Sequence, residues 1–132
     1  MIDGLQQVNK KFKKRKIAVS LFFLLIGLRK YCRVFGESML PTLCQGDFLI
    51  YKPFNHERNK LEEGNLIIVK HPIKQDILLV KRVFSINLDF IDVRGDNELN
   101  SMDSREFGLV NYKQIKGVVE HIIPRAKKIL SI

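Results

Sequence analysis

The sequence predicts a mainly β fold, a small coiled β-sheet or partly closed barrel that follows a basic, apolar helical arm at the N terminus. Three observations support this prediction. Helical patterns are sparse after residue 33, and short apolar runs take their place. Gly, Pro, Asn and Asp separate these runs, as expected of tight connections between strands. Basic residues are concentrated before residue 34, in the arm.

Each apolar run is short enough to be a single strand. The candidate strands are Phe48–Tyr51, Leu66–Lys70, Ile77–Ser85, Phe90–Val93 and Gly117–Ile123. A short helical turn is predicted at Ser38–Leu43, because Pro41 fits a first helical turn. Val110–Ile115 predicts another turn before the last strand. Several short strands with tight connections are typical of small barrels and coiled sheets.

The positive charge of the chain belongs to the arm. The 132 residues carry a formal net charge of +9. Residues 1–33 hold nine Lys and Arg against Asp3 alone, whereas residues 34–132 hold fourteen basic and thirteen acidic residues. The body is therefore nearly neutral, and we expect no nucleic-acid partner. We divide the chain into the arm, 1–33, and one β-rich domain, 34–132.

The arm contains an apolar run, Ile17–Leu28, with basic residues on both flanks. No small-x-small cleavage site of a signal peptide follows it. As a helix this run would be about 18 Å long, short of the roughly 30 Å core of a bilayer. Two interpretations remain open: an interfacial or marginally spanning membrane contact, or packing against the domain or its substrate. Because both flanks are positive, the side of the membrane is undetermined.

Metal and redox sites are not indicated. Cys32 and Cys44 have neither metal-ligand nor redox spacing and are too few for a disulfide framework. His56, His71 and His121 are scattered, without partners at the spacing of a zinc site. We expect no cofactor.

Lys81 is a cation inside an apolar strand. Alternation places Leu79, Lys81 and Val83 on one face of Ile77–Ser85. The lysine could lie on an exposed face or reach the sheet edge, as amphipathic side chains often do. Alternatively it is desolvated, which lowers its pKa and makes a neutral amine available as a general base. Each unit by which the pKa is lowered costs about 1.4 kcal/mol, so a protein would rarely keep such a lysine unless the neutral amine had a function.

Ser38 is the natural partner for such a base. A serine hydroxyl becomes nucleophilic once a base removes its proton, and serine–lysine pairs are known solutions. The backbone N–H of Ser38 could also stabilise an oxyanion. Taken alone, a Ser-x-x-Pro sequence is more often a helix N-cap.

The segment Gly95–Arg105 supplies candidate supporting residues. Ser101, Asp103 and Arg105 are spaced by two, which puts them on one face of an extended stretch. Ser101 can orient a lysine amine, and Asp103 can pair with Arg105 to stiffen the loop. A polar surface hairpin would explain the same residues.

Together these segments resemble the signal peptidase I family of serine–lysine proteases. That family carries a Ser-Met-x-Pro-Thr-Leu box, a Gly-Asp pair before an apolar strand, a Lys-Arg pair, and Gly-Asp-Asn-x-x-x-Ser-x-Asp-Ser-Arg. The matching segments occur here in that order, within residues 34–124. They are Ser38–Leu43, Gly46-Asp47, Lys81-Arg82 and Gly95–Arg105.

The resemblance implies a small coiled β-sheet protease domain with Ser38 as nucleophile and Lys81 as general base. It also implies that Ser101 orients Lys81 and that Asp103 and Arg105 support the loop. Two departures stand out. The stretch between Lys81 and Gly95 lacks the longer hairpin of the family, and Gly36 stands where some members have an oxyanion-hole hydroxyl.

The expected function is a serine endopeptidase that removes an N-terminal leader from a precursor protein. The compact size resembles proteases that trim the leader of nickel-dependent superoxide dismutase, and a general secretory signal peptidase is the alternative. Two rivals are weaker. A self-cleaving repressor would need a helix-turn-helix before Ser38, and a silent membrane-tethered β-module would have no reason to keep Ser38, Lys81 and Ser101.

Overall fold

In the computed structural model, residues 2–74 and 76–126 are described. The two predicted regions, 1–33 and 34–132, also contain residues that lie outside this description, namely Met1, Gln75 and 127–132. The helices are α1 (Ile2–Leu25) and α2 (Ser104–Phe107), with a 3-10 turn at Tyr112–Gln114. The strands are β1 (Lys30–Arg33), β2 (Phe48–Pro53), β3 (Leu66–Lys70), β4 (Leu78–Asn87), β5 (Phe90–Arg94), β6 (Val110–Asn111) and β7 (Ile115–Ile123).

The seven strands form one sheet in the order β1-β2-β7-β3-β4-β5-β6. Every neighbouring pair is antiparallel, and the sheet curls into a half-barrel. The predicted mainly β fold is therefore confirmed. All five predicted strands are present, with ends that differ by a few residues.

Strand β3 explains how the curled sheet is stabilised. Its residues alternate between two apolar clusters: Ile67 and Val69 pack in one, and Ile68 packs in the other. A strand buried on both faces reads as a continuous apolar run, which is what Leu66–Lys70 shows. The second cluster includes Met39 and Leu43, so it anchors the turn that follows Ser38.

One local prediction needs correction, and the short strands β1 and β6 were not predicted. Residues 38–42 form turns rather than a helical turn, because the N–H of Leu40 bonds to Glu37 and that of Leu43 to Met39 without a continuous ladder. Strand β1 was not predicted, since its Lys-Tyr-Cys-Arg sequence has no apolar alternation. It exists through pairing with β2, in which Cys32 lies opposite Leu49.

Helix α1 confirms that most of the arm is helical, although residues 30–33 form β1 in the sheet. The helix contacts β7. The Ser20 hydroxyl lies 2.8 Å from Nε2 of His121 and donates to Glu120 at 3.2 Å. Arg29, just beyond the helix, forms an ion pair of 2.8 Å with the same Glu120. Within residues 2–74 and 76–126, no helix is both long and apolar enough to cross a membrane.

Candidate active site

Strand β4 places Lys81 in the apolar interior of the sheet. The residue is only 2% exposed, and its neighbours on the same face of the strand, Leu79 and Val83, belong to the first apolar cluster. Its register partner on β3 is the fully buried Ile67. The lysine is therefore desolvated and does not lie on an exposed face.

A chain of hydrogen bonds runs from this lysine to the loop after β5. Nζ of Lys81 donates to Oγ of Ser101 at 3.1 Å, and Ser101 donates to Oδ2 of Asp103 at 2.8 Å. Asp103 is fully buried and also accepts from the N–H of Gly95 at 3.0 Å. Arg105 donates to both oxygens of that carboxylate, at 3.0 Å from Nε and 2.6 Å from Nη2. The loop is thus held by one carboxylate.

The two buried groups have shifted pKa values. Burial lowers the pKa of Lys81, and the nearby Asp103 carboxylate opposes part of that shift. Burial alone would raise the pKa of Asp103. Hydrogen bonds from Arg105, Gly95 and Ser101 outweigh it and hold that pKa well below its usual range. A lysine that is more easily neutralised is thus linked through Ser101 to a carboxylate that is charged at neutral pH.

Gly95 brings Ser38 next to this chain. A Cβ atom at position 95 would overlap both Oγ of Ser101 and the backbone oxygen of Ser38. Only glycine therefore lets the turn that contains Ser38 approach Ser101, which holds Lys81. Among the described residues, the Ser38 hydroxyl has no hydrogen-bond partner, Lys81 included.

Ser38 lines a small, largely apolar cavity of about 150 Å³. Other lining residues come from β1, β3 and β4, namely Cys32, Ile68, Leu78, Leu79 and Val80. A cavity of this size and lining can accept an apolar side chain beside Ser38. We call it the Ser38 cavity.

Sequence reasoning assigned no role to Asp96, Asn97, Arg82 and Thr42, which tie the three segments together. Arg82 donates to both oxygens of Asp96 at 2.9 and 2.8 Å, and Thr42 donates to the same carboxylate. Asn97 donates twice to the turn that contains Ser38. Its N–H donates to the carbonyl oxygen of Ser38 at 2.9 Å, and its side chain donates to the carbonyl oxygen of Glu37 at 3.0 Å. The Gly-Asp-Asn sequence signalled a turn, but only the fold shows what that turn holds.

One protein family matches more than half of the chain. Residues 14–94 match the family described as "Signal peptidase, peptidase S26". The matched range contains Ser38 and Lys81 and ends one residue before Gly95.

Curated relatives carry related names. An Arabidopsis thaliana protein, "Mitochondrial ATP-independent inner membrane protease subunit 1a", is 29% identical over 107 residues, which covers 64% of each chain. "Signal peptidase I" of Buchnera aphidicola is 27% identical over 120 residues, covering 76% of this chain and 38% of the relative. "Mitochondrial inner membrane protease subunit 1" of Xenopus tropicalis is 28% identical over 102 residues, covering 62% and 61%. The chain thus spans less than two thirds of the length of each of these three relatives.

Proposed function

The chain belongs to the signal peptidase family, peptidase S26, and on that premise we propose that it is a serine endopeptidase that removes an N-terminal leader peptide from a precursor protein. One observation carries the proposal: a buried lysine with a lowered pKa bonds to Ser101, and across Gly95 the backbone oxygen of Ser38 lies close to that same Ser101 hydroxyl. A desolvated amine next to a hydroxyl without a partner is what a serine–lysine pair requires.

The hydrogen-bond directions suit Lys81 as general base. The hydroxyl of Ser101 donates its only proton to Asp103, so it can only accept a hydrogen bond from Lys81. A neutral Lys81 therefore keeps its lone pair free for the proton of Ser38. In this role Ser101 orients the base, and Asp103 with Arg105 holds Ser101.

The proposed reaction is amide hydrolysis through an ester. Oγ of Ser38 attacks the scissile carbonyl carbon while Lys81 takes its proton. The protonated lysine then gives that proton to the leaving amine as the C–N bond breaks. Water attacks the ester, its proton passes through Lys81 back to Ser38, and the acid product leaves.

Backbone groups are available for the oxyanion. The N–H of Ser38 has no described hydrogen-bond acceptor, so it is free to donate to the developing charge. Gly36 offers no side chain, and its φ of +79° is one that glycine adopts readily. We propose the Ser38 N–H as the oxyanion donor.

The proposed substrate is a precursor whose leader ends in a small side chain. The Ser38 cavity has room for a compact apolar side chain of this kind next to the nucleophile, and its lining is largely apolar. The names of the relatives, signal peptidase and inner membrane protease, favour leader removal in general. The leader of nickel-dependent superoxide dismutase remains the more specific prediction, which incubation of the chain with that precursor tests directly.

We further propose that the arm associates with a membrane surface. The second half of α1 exposes large apolar side chains, with Phe22 at 59% and Leu25 at 86%. Basic residues precede this segment and follow it, and such flanking positive charge is attracted to anionic lipid headgroups. Flotation with vesicles tests this, because Phe22→Ser with Leu25→Ser should abolish binding to vesicles while peptide cleavage in solution persists.

The peptidase proposal is tested with a peptide that spans a leader junction. Ser38→Ala and Lys81→Met should each abolish cleavage and leave the far-UV circular dichroism unchanged. Two matched controls should cleave normally: Ser85→Ala on the same strand as Lys81, and Lys52→Met at an exposed lysine of β2. A serine-directed penem probe should label the native chain and not Ser38→Ala. Cleavage by either dyad variant at the native rate would rule the mechanism out.

A further inference from the structure

A second cavity carries a strong positive charge that the proposed chemistry does not use. It has a volume of about 480 Å³ and lies where the end of β3 meets the turn before β7. We call it the lysine cavity. Its lining residues are Lys70, His71, Pro72, Asn111, Lys113, Gln114 and Lys116. None of these described lining residues is acidic.

Its three lysines are not neutralised by neighbours. Lys113 and Lys116 are exposed and Lys70 is half-buried. None of the three ammonium groups has an ion pair or hydrogen bond to a described residue. Since the body outside the arm is almost neutral, this cluster is a local excess of positive charge.

His71 adds a fixed hydrogen-bond donor to the same cavity. The residue is only 7% exposed and packs against the ring of Phe107. Its Nδ1 accepts from the N–H groups of Ile73 and Lys74, at 3.1 and 3.0 Å. The ring proton therefore lies on Nε2, which has no described partner. Because no described buried side-chain nitrogen lacks a partner, Nε2 is not fully buried, and His71 is one of the residues that line the cavity.

The lysine cavity adjoins the Ser38 cavity across one strand pair. Lys70 lies opposite Leu78 in the β3–β4 ladder, and Leu78 lines the Ser38 cavity. Directly opposed residues of an antiparallel pair project to the same face, about 5 Å apart. An extended peptide advances about 3.3 Å per residue, so a chain bound at Ser38 reaches the lysine cavity within a few residues.

From this geometry we propose that the lysine cavity is a second substrate site, which binds an acidic side chain of the precursor a few residues from the scissile bond. The inference rests on the proposed peptidase function. Lysine ammonium groups and one preset N–H donor suit a carboxylate. A membrane surface fits less well, because the described lining contains no large apolar side chain that would insert between lipids.

Two measurements test this site. Leader-junction peptides carry a single Glu at successive positions, each matched by a Gln peptide. Binding to the Ser38→Ala chain is followed by fluorescence anisotropy, and kcat/KM is measured with the active chain. At one position the Glu peptide should bind about five- to tenfold more tightly than its Gln partner, as two or three partly exposed ion pairs would provide. Lys113→Gln with Lys116→Gln should remove that preference, whereas Lys52→Gln with Lys60→Gln should retain it.

The outcomes separate this proposal from the peptidase proposal. Absence of cleavage for all peptides would contradict the peptidase function, but the anisotropy experiment would still test the site. Equal binding of Glu and Gln peptides at every position would overturn the site. It would also be overturned if the Lys113 and Lys116 substitutions weakened binding to phosphatidylserine vesicles and left the Glu preference intact.

Discussion

The amine of Lys81 donates a 3.1 Å hydrogen bond to the hydroxyl of Ser101, although the lysine itself is only 2% exposed. This pairing joins the interior of the sheet to the loop after β5. It holds the amine with a neutral partner, so the lysine gains orientation without the ion pair that would keep it charged. The carboxylate of Asp103 lies one hydrogen bond further away.

The pH dependence of cleavage should report the lowered pKa of Lys81. Since the neutral amine is the proposed base, kcat/KM should rise with pH and level off above the pKa of Lys81. The midpoint should lie below 10.5, the ordinary value, because burial favours the neutral form. A pH profile with a leader-junction peptide measures it, and a midpoint at the ordinary value would contradict a desolvated base.

The stability of the protein should depend on the same ionisation of Lys81. The unfolded chain binds a proton at Lys81 up to about pH 10.5, whereas the folded chain releases it at lower pH. Stability relative to Lys81→Met should therefore increase as pH rises between the folded and unfolded pKa values. Urea unfolding of both chains across that range measures the difference, in which other titrating groups cancel. A difference independent of pH would mean that the pKa of Lys81 is not shifted.

Much of this fold follows from local patterns. Leu66–Lys70 is a continuous apolar run because both of its faces are buried, and Lys81 is a cation on an otherwise apolar face of its strand. Strand β1 could not be predicted, since it depends on pairing with β2 rather than on its own residues. The role of Asn97 was equally hidden, because its partners Glu37 and Ser38 lie about sixty residues away in sequence.

Gly95→Ala should abolish most of the activity. The added methyl group would overlap Oγ of Ser101 and the carbonyl oxygen of Ser38. The turn that contains Ser38 and the loop that contains Ser101 must therefore separate. A displacement of about 1 Å is enough to lower a rate by about 100-fold. Cleavage assays and thermal unfolding measure the effect. Gly27→Ala is the control, because it strains a φ of +82° but meets no atom within 4 Å. It should lose stability and retain activity, and similar losses of activity in both variants would contradict the steric explanation.

Asn97→Ala should lower kcat more than it raises KM. The variant loses the 3.0 Å bond from the Asn97 side chain to the carbonyl of Glu37, while its own N–H still bonds to Ser38. One hydrogen bond of about 0.5–1.5 kcal/mol corresponds to a fall of roughly 2- to 12-fold. Asn100→Ala, in the same loop, removes an exposed side chain with no described hydrogen bond and should be neutral. An unchanged kcat for Asn97→Ala would show that this bond does not position Ser38.

Asp103→Asn should destabilise the chain at neutral pH and change the pH profile. Asp103 has a pKa below its ordinary 3.8, so its contribution to stability is present above that value and is lost as pH falls. We expect a loss of about 1.5–3 kcal/mol at pH 7, typical of a hydrogen bond to a charged group. The difference between the two chains should shrink below pH 3.8, which urea titrations at several pH values would show.

The same substitution should move the activity profile to lower pH. The Asp103 carboxylate raises the pKa of Lys81, so its removal lets burial lower that pKa further. Asp92→Asn is the matched control, since Asp92 also pairs with an arginine two residues away, Arg94, but has no part in the Lys81–Ser101 chain. A purely structural role for Asp103 would reduce stability and rate without shifting the midpoint, so an unshifted profile would separate that role from electrostatic control of the base.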